Sequence, residues 1–255
     1  MKQSKILIVA ICTIFALSLC NTAWGQGFIV KGYNDWEWEK SYTTTEVDSI
    51  TFTERNCKNG HNYVDLGLPS GVLWATKNIG AVKEREPGHM FAWGETETKD
   101  KFTKDNYKFY DTASKTYTKY SYYNNLTELL PEDDAATINW RSPWRIPTVA
   151  EYRELKENTT ASFRYNMSGG VYIVTLQSKK NGNSIKFILP EYYKTNETVY
   201  FATQSINIAQ LEDNSQRIAF GIKLYGSTAT LYIPSLSREL GAFVRPVLDP
   251  ENAQQ

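Results

Sequence analysis

The chain has little of what metal and redox chemistry requires. Among 255 residues there are three cysteines and two histidines. Cys12 and Cys20 fall in an apolar leader, which leaves Cys57, His61 and His89 as the soft ligands of the remainder. One thiol and two separated imidazoles do not make a tetrahedral zinc set, and no H-E-x-x-H pair occurs, so no metal site is expected. A single thiol also excludes an internal disulfide, and stability has to come from an ordinary core. Excess charge of either sign is missing too, because 28 Lys+Arg balance 28 Asp+Glu. Such a surface offers no field for a phosphate backbone, which excludes nucleic acid as a partner. No G-x-S-x-G elbow, glycine-rich phosphate loop or EF-hand spacing is present, and no cofactor is implied.

What is present begins with a leader. Lys2 and Lys5 precede an apolar run from Ile6 to Leu19, and Ala23-Trp24-Gly25 sets small residues three and one positions before Gln26. This is the pattern of a secretory signal cleaved between Gly25 and Gln26, and it places the protein in the periplasm, at the cell surface or in the medium. The run spans about 21 Å as a helix against a hydrocarbon core of roughly 30 Å, so no permanent membrane span is expected. Leu17-Ser18-Leu19-Cys20 resembles a lipoprotein processing box, and lipidation at Cys20 is the rival reading. Leu19 stands where that pattern has a small residue. Cleavage removes Lys2 and Lys5 but no acid, so the mature chain turns slightly acidic.

Beyond the signal (1–25), the sequence divides into a short β element with a linker (26–60), one mixed domain (61–249) and a tail (250–255). In the first, Phe28 to Val30 reads as a strand, Asn34 and Asp35 as a turn, and Val47, Ile50 and Phe52 as a second extended stretch. In the domain, Pro69-Ser70-Gly71 joins two strands, Tyr63 to Leu66 and Val72 to Thr76. A polar, tyrosine-rich stretch from Thr96 to Asn125 shows neither period and reads as a long excursion. Pro131 to Ala136 carries three acids at an expected first helical turn, and Thr148 with Glu151 has capping-box spacing for a second helix ending near Asn158. After residue 160 the period returns to two: Val171 to Leu176, Ile185 to Leu189, Tyr200 to Thr203, Ile218 to Leu224, Ala229 to Ile233 and Gly241 to Val247 read as strands of an antiparallel sheet.

Certain segments are more specific than a generic β protein requires. They are Tyr63 to Thr76 (YVDLGLPSGVLWAT), Met90 to Thr96 (MFAWGET), Glu132 to Trp140 (EDDAATINW), Trp144 to Thr148 (WRIPT) and Ala242 to Val247 (AFVRPV). In this order and spacing the chain resembles the Fibrobacter-type major paralogous domain of exported Bacteroidota proteins, over residues 46 to 248. That family in turn resembles C-type-lectin-like domains of the formylglycine-generating-enzyme type. The resemblance implies an α+β, C-type-lectin-like domain with a twisted antiparallel sheet, two short helices and long loops. It also implies that Trp74, Trp93, Asp133, Asp134, Trp140, Trp144, Arg145 and Arg245 are structural motif residues. Formylglycine-generating enzymes use a late cysteine pair, and their iron-dependent relatives three histidines. This chain has neither, so no catalytic residue is assigned and the protein is read as a non-enzyme.

Aromatic side chains then carry the binding hypothesis, since Tyr and Trp offer a flat apolar face with a polar tip. Tyr107, Tyr110, Tyr117, Tyr120, Tyr122 and Tyr123 in the excursion are the ligand-contact candidates, with residues 190 to 215 as a second loop. The expected function is an exported binding module that recognises a protein or glycan. Two alternatives stand beside it: a structural subunit of a surface or fimbria-like assembly docking through residues 26 to 54, and an enzyme with a carboxylate site at Glu95, Asp133 or Asp134.

Overall fold

The computed structural model describes residues 19–22, 25–33, 37–43, 56–121, 126–191, 197–207, 216–225 and 228–253. It divides into two compact units, residues 1–60 and 61–255. In the first, β1 (Leu19–Thr22), β2 (Gly25–Tyr33) and β3 (Glu37–Thr43) form an antiparallel sheet in that order, and β4 (Cys57–Lys58) is a short strand near its end. The Gly25–Gln26 junction lies at the start of β2, where Thr22 pairs with Gly25. Of the expected apolar run from Ile6 to Leu19, all but Leu19 lies outside the described residues, as do Val47, Ile50 and Phe52.

The second unit is α+β, built mostly of antiparallel sheets with two helices. β5 (His61–Asp65) and β6 (Leu73–Ala75) pair antiparallel across the Pro69–Gly71 reversal, with Tyr63 opposite Ala75. β7 (Met90–Phe91) precedes the tyrosine-rich excursion, in which β8 (Tyr110–Asp111) and β9 (Thr116–Tyr117) make a small hairpin. α1 (Ala135–Trp140) starts later than the acid run suggests. Pro131–Asp133 is a 3-10 turn, and Asp134 is the N-cap. α2 (Val149–Asn158) has the expected capping box, with the Thr148 hydroxyl accepting from Glu151 N and the Glu151 carboxylate accepting from Thr148 N at 2.7 Å.

β10 (Thr159–Asn166), β11 (Val171–Ser178) and β12 (Ser184–Pro190) form one antiparallel sheet. β13 (Thr198–Asn207), β14 (Gln216–Tyr225), β15 (Thr228–Tyr232), β16 (Ser235–Ser237) and β17 (Ala242–Phe243) build a second with β7, and β18 (Val247–Leu248) pairs with β6. Within the second sheet, β17 lies parallel to β13 and antiparallel to β7. β10 escapes the sequence pattern because most of its side chains are exposed on both faces, so burial imposes no alternation on it.

The larger sheet separates two hydrophobic cores, and the pleat feeds both. Phe201 and Phe243 enter one core with Trp74, Tyr152, Phe187 and Phe220, while Ala202 and Ala242 enter the other with Trp93, Tyr107, Phe109, Tyr120, Trp140 and Trp144. Adjacent residues of one strand thus point into different cores. Edge-on ring packing, such as Trp74 on Tyr152 at 5.1 Å and Trp93 on Tyr120 at 4.9 Å, adds about 0.5–1.5 kcal/mol per pair to the area buried.

Candidate functional site

The excursion after β7 is a structured arch. It leaves the sheet at Trp93, whose indole donates to Thr203 O at 2.9 Å, and turns at Gly94, where φ is +76° and a Cβ would lie 2.7 Å from the Phe109 ring. Only glycine fits there. Glu95, 8% exposed, clamps the start: its carboxylate accepts from Lys108 N at 2.8 Å and pairs with Lys99 at 2.7 Å. The Tyr107 hydroxyl donates back to Trp93 O at 2.7 Å. Tyr107, Phe109 and Tyr120 all lie in the second core described above.

This placement corrects part of the sequence reading. Tyr107 and Tyr120 are 2% and 1% exposed, so neither has a face for a ligand. The path of the arch places both rings in the core, and no periodic pattern in the segment marks them. Tyr110 and Tyr117 differ: they sit directly opposite each other in the β8–β9 hairpin, half-buried, with centroids 5.3 Å apart and edges crossed. The Lys104 ammonium lies 4.5 Å from the Tyr110 centroid and 5.4 Å from that of Tyr117. On the core side the Arg238 guanidinium stands 4.0 Å from the Tyr117 centroid. The tip residues Asp111 to Thr116 are exposed, and Asp111 closes the turn by accepting from Ala113 N at 2.9 Å and from the Ser114 hydroxyl at 2.7 Å. Tyr122 and Tyr123 lie outside the described residues, as do 192–196 and 208–215 of the second expected loop.

Beneath the hairpin stands Asp133, 2% exposed. Its carboxylate accepts from Lys108 Nζ at 2.8 Å, Lys119 Nζ at 2.5 Å and the Tyr120 hydroxyl at 2.7 Å. Burial opposes its charge, but these donors outweigh it and hold the carboxyl below the ordinary aspartate value. Neighbouring Asp134 is a scaffold residue. It accepts from Ala136 N, Thr137 N, Ile146 N and Gln204 Nε2, and burial nonetheless pushes its carboxyl up.

The remaining motif residues hold the frame. Trp74, Trp93 and Trp144 are fully buried, and Trp140, 7% exposed, stacks on His61 with centroids 3.6 Å apart. Burial and then Lys77 hold His61 below its ordinary value. Arg145 forms a bidentate pair with Glu151 at 2.6 and 2.9 Å and reaches Asp249 at 2.5 Å, and the two carboxylates keep it protonated despite burial. Arg245, 1% exposed, spends its donors on Asn78 Oδ1, Ala75 O and Lys186 O, and burial lowers it to about 10.

Sequence reasoning missed Arg217 and Arg238, both fully buried. Arg238 donates to Lys119 O and Tyr120 O, which ties the returning limb of the arch to the sheet. A lone basic residue between a serine and a glutamate gives no sequence signal of burial. Among the described residues no group of three or more His, Cys, Asp or Glu side chains is placed to hold a metal ion, and no helix is long and apolar enough to cross a membrane. No family model matches the chain, and neither a curated protein nor a solved structure matches it significantly.

Proposed function

We propose that the protein is an exported, non-catalytic binding module in which the β8–β9 hairpin is the contact surface and a protein or glycan the ligand. The observation that carries this reading is the Tyr110–Tyr117 pair, set opposite each other on a hairpin whose base is anchored in the core. Aromatic rings held rigidly above a polar rim lose little conformational freedom when a partner docks, which is how tyrosine-rich paratopes gain affinity. Lys104 over both rings adds a cation at the centre of the patch.

The scaffold is best read as C-type-lectin-like, within the major paralogous domain family. Two motif segments far apart in sequence support this by meeting in space: Arg145 N donates to Val247 O and Val247 N to Arg145 O, joining the start of α2 to the C-terminal block. The test is a binding screen by glycan array and by pull-down from envelope extracts, with Tyr110→Ala/Tyr117→Ala beside the wild type. Binding is expected to fall at least about tenfold, the loss of about 1.4 kcal/mol typical of a contact hot spot, in a variant whose unfolding midpoint falls but whose transition stays cooperative, since both rings also pack against the core. Undiminished binding by the double variant would place the contact surface elsewhere.

A further inference from the structure

The base of the hairpin contains a conflict that one residue resolves. Tyr110 pairs with Tyr117, and Thr118 N donates to Phe109 O at 3.0 Å, so the next residues along the ladder, Lys108 and Lys119, are the flanking pair at its open end. Two like charges in such positions repel and favour an open ladder. Both ammoniums instead converge on the Asp133 carboxylate, one on each oxygen, at 2.8 and 2.5 Å. The third donor, the Tyr120 hydroxyl, belongs to the same limb as Lys119, and Tyr120 is held at φ +56°, a conformation that a bulky residue keeps only when its surroundings impose it. Among the described residues, every hydrogen bond and ion pair to the Asp133 carboxylate comes from residues 108–120.

We infer that Asp133 is the positioning residue of the recognition surface, a clasp that holds the two lysine-bearing limbs of the hairpin together and so keeps Tyr110 and Tyr117 opposed. The inference rests on the reading of the hairpin as the contact surface, but its first test needs no ligand. Glu132, which reaches Lys119 at 3.3 Å from an exposed position, supplements the clasp on one limb only. Glu95 acts on the other limb through the Lys108 backbone and leaves the Lys108 ammonium to Asp133.

Hydrogen exchange of the full chain, followed by peptide, tests the clasp. In Asp133→Asn, amides of residues 108–121 are expected to exchange about ten- to a hundredfold faster while β13 and β14 keep their protection, and added salt should slow the exchange again by screening the two lysines. The decisive arm is Asp133→Asn/Lys119→Glu, in which the carboxylate introduced at position 119 pairs across the strands with Lys108 in place of the clasp and should restore protection. Unchanged exchange in Asp133→Asn, exchange that rises equally in β13 and β14, or a double variant as loose as the single one would each overturn the inference. Lys108→Met/Lys119→Met/Asp133→Asn, which removes the two cations and the buried carboxylate together, keeps the test sound if Asp133→Asn fails to fold: with no repulsion to clasp and no buried charge left unpaired, protection of residues 108–121 near the wild-type level is expected, and protection lost throughout that segment counts against the inference. If Asp133→Asn loosens the hairpin while Tyr110→Ala/Tyr117→Ala binds as the wild type does, the clasp stands and the contact-surface reading falls.

Discussion

Arg245 shows how a buried cation is made tolerable without a counter-ion in contact. Its guanidinium donates in three directions, to Asn78 Oδ1 at 2.6 Å, Ala75 O at 2.9 Å and Lys186 O at 2.7 Å, and lies 4.7 Å from the Phe187 ring centroid. A lysine carries one compact charge and cannot span three separated acceptors. Arg245→Lys is therefore expected to cost about 2–4 kcal/mol, read from urea unfolding, because two acceptors lose their donor and the remaining charge stays buried. The opposite sign is expected at Tyr152, which is fully buried and whose hydroxyl has no hydrogen-bond partner among the described residues. Burial pushes that phenol well above its ordinary value. Removing a buried polar atom that makes no bond relieves a desolvation cost, so Tyr152→Phe should leave the thermal midpoint unchanged or raise it.

At the scale of elements, the readable parts are those where local chemistry and burial agree. The Thr148–Glu151 box marked the start of α2, and Ile218, Phe220, Ile222 and Leu224 marked β14, because a capping bond and a buried face each impose a pattern. Thr148→Ala should cost about 1 kcal/mol, measured by denaturant unfolding. The arch from Glu95 to Tyr120 was illegible for the converse reason: its buried rings are spaced by the path of a loop, with no fixed period to detect. The tyrosines were visible as a class, but which of them face out depends on the hairpin register and on Asp133, which lies 13 residues beyond Tyr120 in the chain and meets it only in the fold. Asp133 also gives the arch a pH signature. Its folded value lies below the unfolded one, so its contribution is complete above the ordinary aspartate range and is lost as the pH falls through the folded value. The stability gap between the wild type and Asp133→Asn should be constant near neutrality and close below about pH 4, in acid titrations followed by tryptophan fluorescence.

On the scale of the whole molecule, the late segment from Ala242 to Asp249 ties together much of the second unit that precedes it. β17 lies between β13 and β7, Ile79 N donates to Val244 O, Ala75 N to Pro246 O, Arg145 N to Val247 O, and Asp249 receives Arg145. A chain stopped after Leu240 should therefore lose its cooperative thermal transition, which calorimetry would show directly. The parallel insertion of β17 also has a consequence in time. A nascent chain emerges from its N-terminus, and among the described residues β7 has no strand to pair with until β17 has been made. The same segment adds Phe243 and Val247 to one core and Ala242, Val244 and Leu248 to the other. Closure of the larger sheet therefore rests on one two-residue strand, which follows both of its partners in the chain and joins segments more than a hundred residues apart.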